Sequence, residues 1–157
     1  MSRLKKAGIG LTAAGALAVV LVGGWEGLRL NSYRDIIGVW TVCYGETRGV
    51  KAGMRFTKAQ CDTKLVDGIE DFEDGMRRCL TAPDRIPDKA YVAFLSLSYN
   101  IGTGAFCKST VARRANAGDL RGACDALLAF NRAGGRVIQG LVNRRKAERA
   151  FCLEGVR

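Results

Sequence analysis

The hydrophobic and polar positions of the chain divide it into a leading apolar segment, a short β-rich stretch and a longer helical part. No charged residue occurs in the 19 positions of residues 7–25. In residues 33–44 β-branched and aromatic side chains dominate, with Gly38 as a turn point, which predicts a short β-hairpin or small sheet. The rest of the chain has the patterning of helices. We therefore expect a mainly helical α+β fold.

Capping residues mark where the predicted helices begin. Thr57 and Gln60 form a capping-box pattern, so a helix should run from there to about residue 78. Its acidic face is most simply a solvated surface and consists of Asp67, Glu70, Asp71, Glu73 and Asp74. Asp88 is a candidate N-cap for a strongly apolar helix over residues 90–99, which we expect at the centre of the core. Candidate N-caps for helices near residues 110–117, 119–130 and 143–153 are Ser109, Asp119 and Asn143.

The leading apolar segment has the features of a weak membrane anchor. As a helix, residues 7–25 would span roughly 28 Å, close to the thickness of a bilayer's hydrocarbon core. Arg3, Lys5 and Lys6 precede it, which predicts a cytoplasmic N-terminus and export of the remainder. Ten of the 19 residues are Gly or Ala, so insertion into lipid is weakly favoured. We interpret residues 1–25 as an uncleaved export signal that can later leave the membrane.

Other interpretations of this segment remain open. A cleaved signal peptide could use Ala16-Leu17-Ala18 as its small-residue site, although an apolar run follows where a polar junction is expected. A permanent anchor would carry more Leu and Ile. A buried core helix rich in Ala and Gly would not need the basic flank.

Composition narrows the possible chemistry. The formal net charge of +10 favours an anionic partner, which could be nucleic acid, a membrane surface or the bacterial cell wall. The chain contains no histidine, which excludes Ser-His-Asp and Cys-His nucleophile systems and the usual His-ligated zinc hydrolases. Catalysis would have to use carboxylates, hydroxyls, thiols, lysines or bound water. We expect no metal and no cofactor.

Six cysteines follow the apolar segment, an even number without CxxC spacing. This usage favours disulfides in an oxidising compartment, which also argues against nucleic acid as the partner. Among the possible pairings we favour sequential neighbours, namely Cys43 with Cys61, Cys79 with Cys107, and Cys124 with Cys152. The alternative is six buried free thiols in a cytosolic protein.

Glu26, Asp35 and Thr41 are the candidate catalytic residues. A helix end that carries Glu26, followed by a hairpin that carries Asp35 and Thr41, can aim all three side chains into one cleft. Glycoside hydrolysis needs one carboxyl group to protonate the leaving oxygen and an ionised one to guide water or stabilise the oxocarbenium ion. It needs no histidine.

The order of these residues and their neighbours resembles a known family. Residues 26–45, EGLRLNSYRDIIGVWTVCYG, are similar to the glutamate–eight–aspartate–five–threonine signature of phage lysozymes in glycoside hydrolase family 24. The resemblance continues through YNIGTGAF (99–106), AGG (133–135) and GLVNRRKAER (140–149). It implies a lysozyme-like catalytic domain over residues 26–157, with a small N-terminal β lobe and a helical lobe.

The resemblance also implies an activity and residue roles. The family member would be a muramidase that cuts the β-1,4 bond between N-acetylmuramic acid and N-acetylglucosamine in peptidoglycan. Glu26 would be the general acid, Asp35 the base or electrostatic stabiliser, and Thr41 would help hold the attacking water. Tyr99 and Asn100 fall on the segment that lines the family's sugar cleft.

Two further stretches carry specific expectations. Where the family usually has Gly-x-Gly-His after the threonine, this chain has Cys43-Tyr44-Gly45-Glu46, which suggests a local disulfide and removes a histidine ion pair. The basic residues near the C-terminus would either grip the anionic wall or form a solvated helix face. These residues are Arg144, Arg145 and Arg149.

The layout resembles signal-anchor-release endolysins, which are exported in an inactive tethered form and freed into the periplasm of a Gram-negative host. While residues 7–25 lie in the inner membrane, Glu26 sits at the membrane surface and cannot end a helix packed into a folded domain. We expect the segment to repack on release, move Glu26 into the cleft and leave a soluble monomer. Residues 7–25 contain no cysteine, so the disulfide-exchange switch of some relatives looks closed.

Two alternative functions remain. A lytic transglycosylase cleaves the same bond with a glutamate but admits no water, and Asp35 and Thr41 argue against it. A non-catalytic cationic wall-binding or membrane-permeabilising protein would need only the positive charge and would not depend on Glu26.

Overall fold

The computed structural model describes residues 1–8 and 10–157. Ile9, which belongs to the predicted apolar segment, lies outside the described residues. The chain forms two compact units, one of residues 3–70 and one of residues 1–2 together with 71–157.

The unit of residues 3–70 contains the apolar segment. Strand β1 (Lys5–Lys6) pairs antiparallel with β2 (Gly10–Leu11), and helix α1 (Ala13–Glu26) follows. Thr12 begins the helix, because its hydroxyl oxygen accepts a hydrogen bond from the Gly15 amide at 3.1 Å. Within residues 1–8 and 10–157 we find no helix with both the length and the apolar character needed to cross a membrane.

The predicted β-hairpin is confirmed, with its boundaries shifted. Its strands are β3 (Arg29–Arg34) and β4 (Trp40–Cys43), which pair antiparallel. The first strand thus begins before residue 33. Ile36 and Ile37 lie in the exposed turn and not in a strand, because Asp35 organises a turn at that point.

The capping-box helix is confirmed as α2 (Lys58–Arg78). The Gln60 amide donates to the Thr57 hydroxyl at 3.2 Å, and the Thr57 amide donates to the Gln60 side-chain oxygen at 2.8 Å. The interpretation of its acidic face as fully solvated is wrong at Glu73, which is 0% exposed. Its carboxylate accepts hydrogen bonds from the side chains of Ser2 and Tyr91, which compensates its removal from water.

The second unit is built around the apolar helix α3 (Asp88–Ile101), in which Ala90 to Ser98 are all buried. Pro87, and not Asp88, is its N-cap. Gly102 ends the helix at a φ of 88°, a backbone conformation that glycine adopts without strain. The expected position at the centre of the core is therefore confirmed.

Shorter elements complete this unit. They are α4 (Thr103–Cys107), α5 (Thr110–Asn116), α6 (Leu120–Ala126), β5 (Arg132–Ala133), β6 (Arg136–Val137), α7 (Gln139–Gly155) and the 3₁₀ turns Pro83–Arg85 and Leu127–Ala129. Ser109 and Asp119 are confirmed as side-chain caps of α5 and α6. Asn143 is not a cap, because α7 begins four residues earlier and the Asn143 side chain accepts a hydrogen bond from Gln139.

Three disulfide bonds cross-link the fold, in the sequential pairing expected from the sequence. Cys43–Cys61 lies in the unit of residues 3–70 and joins the end of β4 to α2. Cys79–Cys107 and Cys124–Cys152 lie in the second unit. Loops of this size give each bridge a stabilising effect of about 3 kcal/mol through the unfolded state.

Candidate active site

Glu26 is the last residue of α1 and is exposed. The helix ends there because Gly27 takes a φ of 76°, which turns the chain toward β3 while the Gly27 amide still donates to the Gly23 carbonyl at 3.1 Å. Packing of α1 within its unit therefore determines where the Glu26 carboxyl group lies.

The buried face of α1 combines Ala and Gly with Val and Leu, and two of its glycines allow close approach of the chain. A Cβ atom on Gly15 would overlap the carbonyl oxygen of Leu4, and one on Gly23 would lie 2.9 Å from the Tyr44 ring. The chain thus approaches the helix more closely than any side chain would allow at these two positions.

Tyr44, against which α1 packs, is held by a polar cluster that the sequence reasoning missed. Its hydroxyl donates to Asp62 at 2.6 Å, and the Lys58 ammonium donates to the other carboxylate oxygen of Asp62 at 2.6 Å. Burial, reinforced by Asp62, raises the pKa of Tyr44, so the phenol stays a donor. The i,i+4 spacing of Lys58 and Asp62 on α2 is the signal that could have revealed the cluster.

The Asp35 side chain stabilises the turn in which Asp35 itself lies. Its Oδ1 accepts hydrogen bonds from the amides of Ile37 at 3.0 Å and Val39 at 2.9 Å, and Gly38 closes the turn at a φ of 84°. Both bonds use the same oxygen. The carboxylate is therefore fixed in orientation, and Oδ2 can accept a hydrogen bond from water or a sugar.

Thr41 lies on β4 opposite Tyr33, and its side chain is buried. Its hydroxyl donates to the Val39 carbonyl at 3.1 Å, which fixes the orientation of the O–H and leaves the oxygen lone pairs as hydrogen-bond acceptors for a water molecule. The three candidate residues thus lie in one unit, two of them on a single hairpin.

Two cations stack on the aromatic residues of this hairpin. The Arg29 guanidinium lies 4.3 Å from the Tyr33 ring centroid, and Arg34 lies 5.2 Å from that of Trp40. Glu46, at the position of the family's histidine, caps its own turn by accepting hydrogen bonds from the amides of Thr47 and Arg48.

Tyr99 and Asn100 lie near the end of α3 in the second unit. The Tyr99 ring meets Phe72 edge-on with 5.0 Å between centroids, which fixes its orientation, and Asn100 is exposed.

Both interpretations of the C-terminal basic stretch are wrong for Arg144 and Arg145, which are buried. Glu148, itself 0% exposed, accepts hydrogen bonds from Arg144 at 3.1 Å and Arg145 at 2.8 Å, and from Ser96 at 2.5 Å. Burial raises the pKa of Glu148 and lowers that of Arg145, and their mutual attraction opposes both shifts. The i,i+3 and i,i+4 spacing of these residues could have predicted the cluster.

Arg149 differs from these two arginines. Its guanidinium pairs with Asp125 at 2.7 Å near the surface.

No metal site is found in the described part of the chain: among residues 1–8 and 10–157 no three His, Cys, Asp or Glu side chains cluster as a metal site would require.

Comparison with known proteins adds family evidence. The sequence profile of the phage lysozyme family matches residues 23–148. The chain is similar to the SAR-endolysin of Enterobacteria phage P21, with 37% identity over 161 residues that cover 97% of this chain and 96% of the relative. Among solved structures it is similar to the endolysin from Escherichia coli O157:H7 phage FAHEc1, with a TM-score of 0.75, 29% identity and coverage of 95% and 96%. The active form of the P1 phage endolysin Lyz gives a TM-score of 0.74 at 29% identity and covers 93% of this chain and 86% of that one.

Proposed function

The chain belongs to the phage lysozyme family, and on that premise we propose that it is an endolysin that hydrolyses the β-1,4 bond between N-acetylmuramic acid and N-acetylglucosamine in peptidoglycan. The observation that carries the proposal is the arrangement of Glu26, Asp35 and Thr41 within one unit, with a helix end and a self-organised turn presenting the two carboxyl groups.

The geometry supports a division of roles. Glu26, exposed at the end of α1, protonates the glycosidic oxygen as the leaving sugar departs. Asp35, fixed through Oδ1, uses Oδ2 to orient water or to stabilise the positive charge on the sugar ring. Thr41 accepts a hydrogen bond from that water. The proposed role of Tyr99 and Asn100 in glycan binding rests on the family resemblance alone.

The test is digestion of purified peptidoglycan with wild type and Glu26→Gln, followed by mass spectrometry of the muropeptides. Loss of a general acid should lower the rate by about 10²–10⁴-fold, with reducing-end disaccharides as the wild-type products. The matched control is Glu154→Gln, the same change at a surface glutamate that pairs with Lys89.

Other outcomes distinguish the alternatives. Anhydro-muropeptides would retain Glu26 as the acid but replace hydrolysis by transglycosylation, and Asp35 and Thr41 would lose their water-handling role. No soluble product from either protein would leave a cationic wall-binding protein.

We further propose that the protein is exported to the inner membrane of a Gram-negative host in a tethered, inactive form and becomes a soluble, monomeric periplasmic enzyme on release. The uncharged residues 7–25 behind a basic flank support this, as does the family of SAR-endolysins to which the sequence is similar. Residues 13–26 cannot be both a membrane segment and the packed helix α1 that positions Glu26.

Release can be tested without disturbing the packed form. Ala16 lies on the exposed face of α1, so Ala16→Leu should strengthen membrane retention and delay lysis while the released protein keeps its fold. Gly15→Leu is a poorer probe because it would also collide with Leu4. Unchanged release of Ala16→Leu in a fractionation time course would contradict the proposal.

A further inference from the structure

The first residues of the chain are held by a buried carboxylate. The Ser2 hydroxyl donates to Glu73 Oε2 at 2.6 Å, and the Tyr91 hydroxyl donates to Oε1 at 2.6 Å. Glu73 is 0% exposed. Ser2 precedes the apolar segment, so a short hydrogen bond from it to a buried side chain 71 positions later needs a reason.

The groups around Glu73 are also held by contacts that do not involve Ser2. Arg77 donates to the Tyr91 hydroxyl at 3.2 Å and is itself held by both carboxylate oxygens of Asp84 at 2.9 Å. Burial, and then the bond to Glu73, raise the pKa of Tyr91, so its hydroxyl remains a donor. At 2.6 Å, both O–H···O contacts lie at the short end of the range for protein hydrogen bonds.

We propose that Glu73 and Tyr91 form a docking site for the chain's own N-terminus, which Ser2 fills only after the apolar segment has left the membrane. This inference rests on the proposed release. In the tethered form Ser2 is on the cytoplasmic side and Glu73 is on the other, separated by about 30 Å of hydrocarbon. The contact therefore stabilises the released form alone and acts as a latch against reinsertion.

The first experiment measures amide hydrogen exchange of the N-terminal peptide in the purified released protein. Ser2→Ala, which removes only the side-chain hydroxyl of Ser2, should raise exchange about tenfold, because leaving a buried acceptor without this partner shifts an opening equilibrium by about that factor. Ser2→Thr keeps a hydroxyl and should preserve the protection. Equal exchange in wild type and Ser2→Ala would overturn the docking site.

Glu73→Gln tests the receptor side, with Asp71→Asn as its matched control. Asp71 is exposed on the same helix two residues earlier, so it loses the same charge without facing Ser2. We expect faster exchange of the N-terminal peptide in Glu73→Gln and wild-type exchange in Asp71→Asn. Equal acceleration in both variants would attribute the effect to helix charge and overturn the proposal.

The latch role is tested by adding vesicles of phosphatidylethanolamine and phosphatidylglycerol to the released protein. Ser2→Ala should associate with them about tenfold more than wild type, and Ser2→Thr should not. Unaltered association of Ser2→Ala would overturn the latch even if exchange had changed. Neither measurement uses peptidoglycan, so the results on hydrogen exchange and vesicle association can be interpreted even if the muramidase assay fails.

Discussion

Helices α1 and α3 have the same length, 14 residues, and both end at a glycine with positive φ, yet they are built from different side chains. In α3 every residue from Ala90 to Ser98 is buried, including the large side chains of Tyr91, Phe94 and Leu97. In α1 the buried positions are Ala, Gly, Val and Leu, and an uncharged stripe faces solvent. This stripe consists of Ala13, Ala16, Val20 and Gly24.

The difference fits the proposal that α1 exists both in a bilayer and packed within its unit. Helix α3 is stabilised by tertiary packing on all sides and has no side-chain N-cap. Helix α1 has Thr12 as its own cap and packs through small residues against Leu4 and Tyr44. A helix that leaves lipid and then packs against its own domain, as proposed here, needs an outward face that both water and lipid tolerate. Small apolar side chains meet that requirement.

Truncating one buried side chain in each helix should give the largest loss of stability. Phe94→Ala should lower the free energy of unfolding by about 3–5 kcal/mol, because it leaves a cavity in the core. Val22→Ala, at an equally buried position of α1, should cost about 2 kcal/mol, at roughly 0.8 kcal/mol for each lost carbon plus a cavity term. Guanidinium unfolding with the disulfides oxidised measures both, and equal losses would show that α1 is as integral to the core as α3.

Two adjacent glycines of α1, Gly23 and Gly24, should respond to substitution by alanine with opposite changes in stability. Gly23→Ala should destabilise by about 1–3 kcal/mol, because the new methyl group would lie 2.9 Å from a Tyr44 ring that Asp62 holds in place. It should also lower activity, since Glu26 follows three residues later on the same helix. Gly24→Ala has nothing within 4 Å and should stabilise by about 0.5–1 kcal/mol through helix propensity. The readouts are unfolding and clearing of peptidoglycan suspensions; a shared sign for the two variants would refute close packing at Gly23.

Local signals predicted much of the fold. The Thr57–Gln60 capping box, the caps at Ser109 and Asp119, and the apolar run of α3 each depend on neighbours in sequence, and each is confirmed. The candidate site could also be predicted from the sequence, because Glu26, Asp35 and Thr41 all lie within residues 26–45, on one helix end and one hairpin.

Most wrong predictions concern residues whose burial is determined by contacts with residues distant in sequence. Charge alone predicts that Glu73, Arg144 and Arg145 are exposed, and this prediction is wrong because each has a polar partner in the core. Glu73 bonds to Tyr91, 18 positions away, and Arg144 bonds to Ser96, 48 positions away, and no local pattern reveals either contact. Arg145 bonds to Glu148 only three positions away, so there the i,i+3 spacing is a local signal of the cluster. The prediction that Ile36 and Ile37 lie in a strand is wrong for another reason. Two isoleucines suggest a strand, but the Asp35 carboxylate bonds to the following backbone amides and forms a turn instead.

A substitution with little expected effect on folding stability tests the proposal that α1 also occurs in a bilayer. Val20 is 70% exposed, so Val20→Lys should alter the free energy of unfolding by no more than about 0.5 kcal/mol. In a bilayer the same lysine would cost about 3 kcal/mol of insertion energy, so the tethered fraction should fall sharply while the released protein stays folded and active. Membrane fractionation beside chemical unfolding separates these effects, and retention equal to wild type would mean that residues 7–25 do not hold the protein in lipid. The α3 position Val92 is 0% exposed and offers no such substitution, because a lysine there would be buried among apolar side chains in the folded state itself.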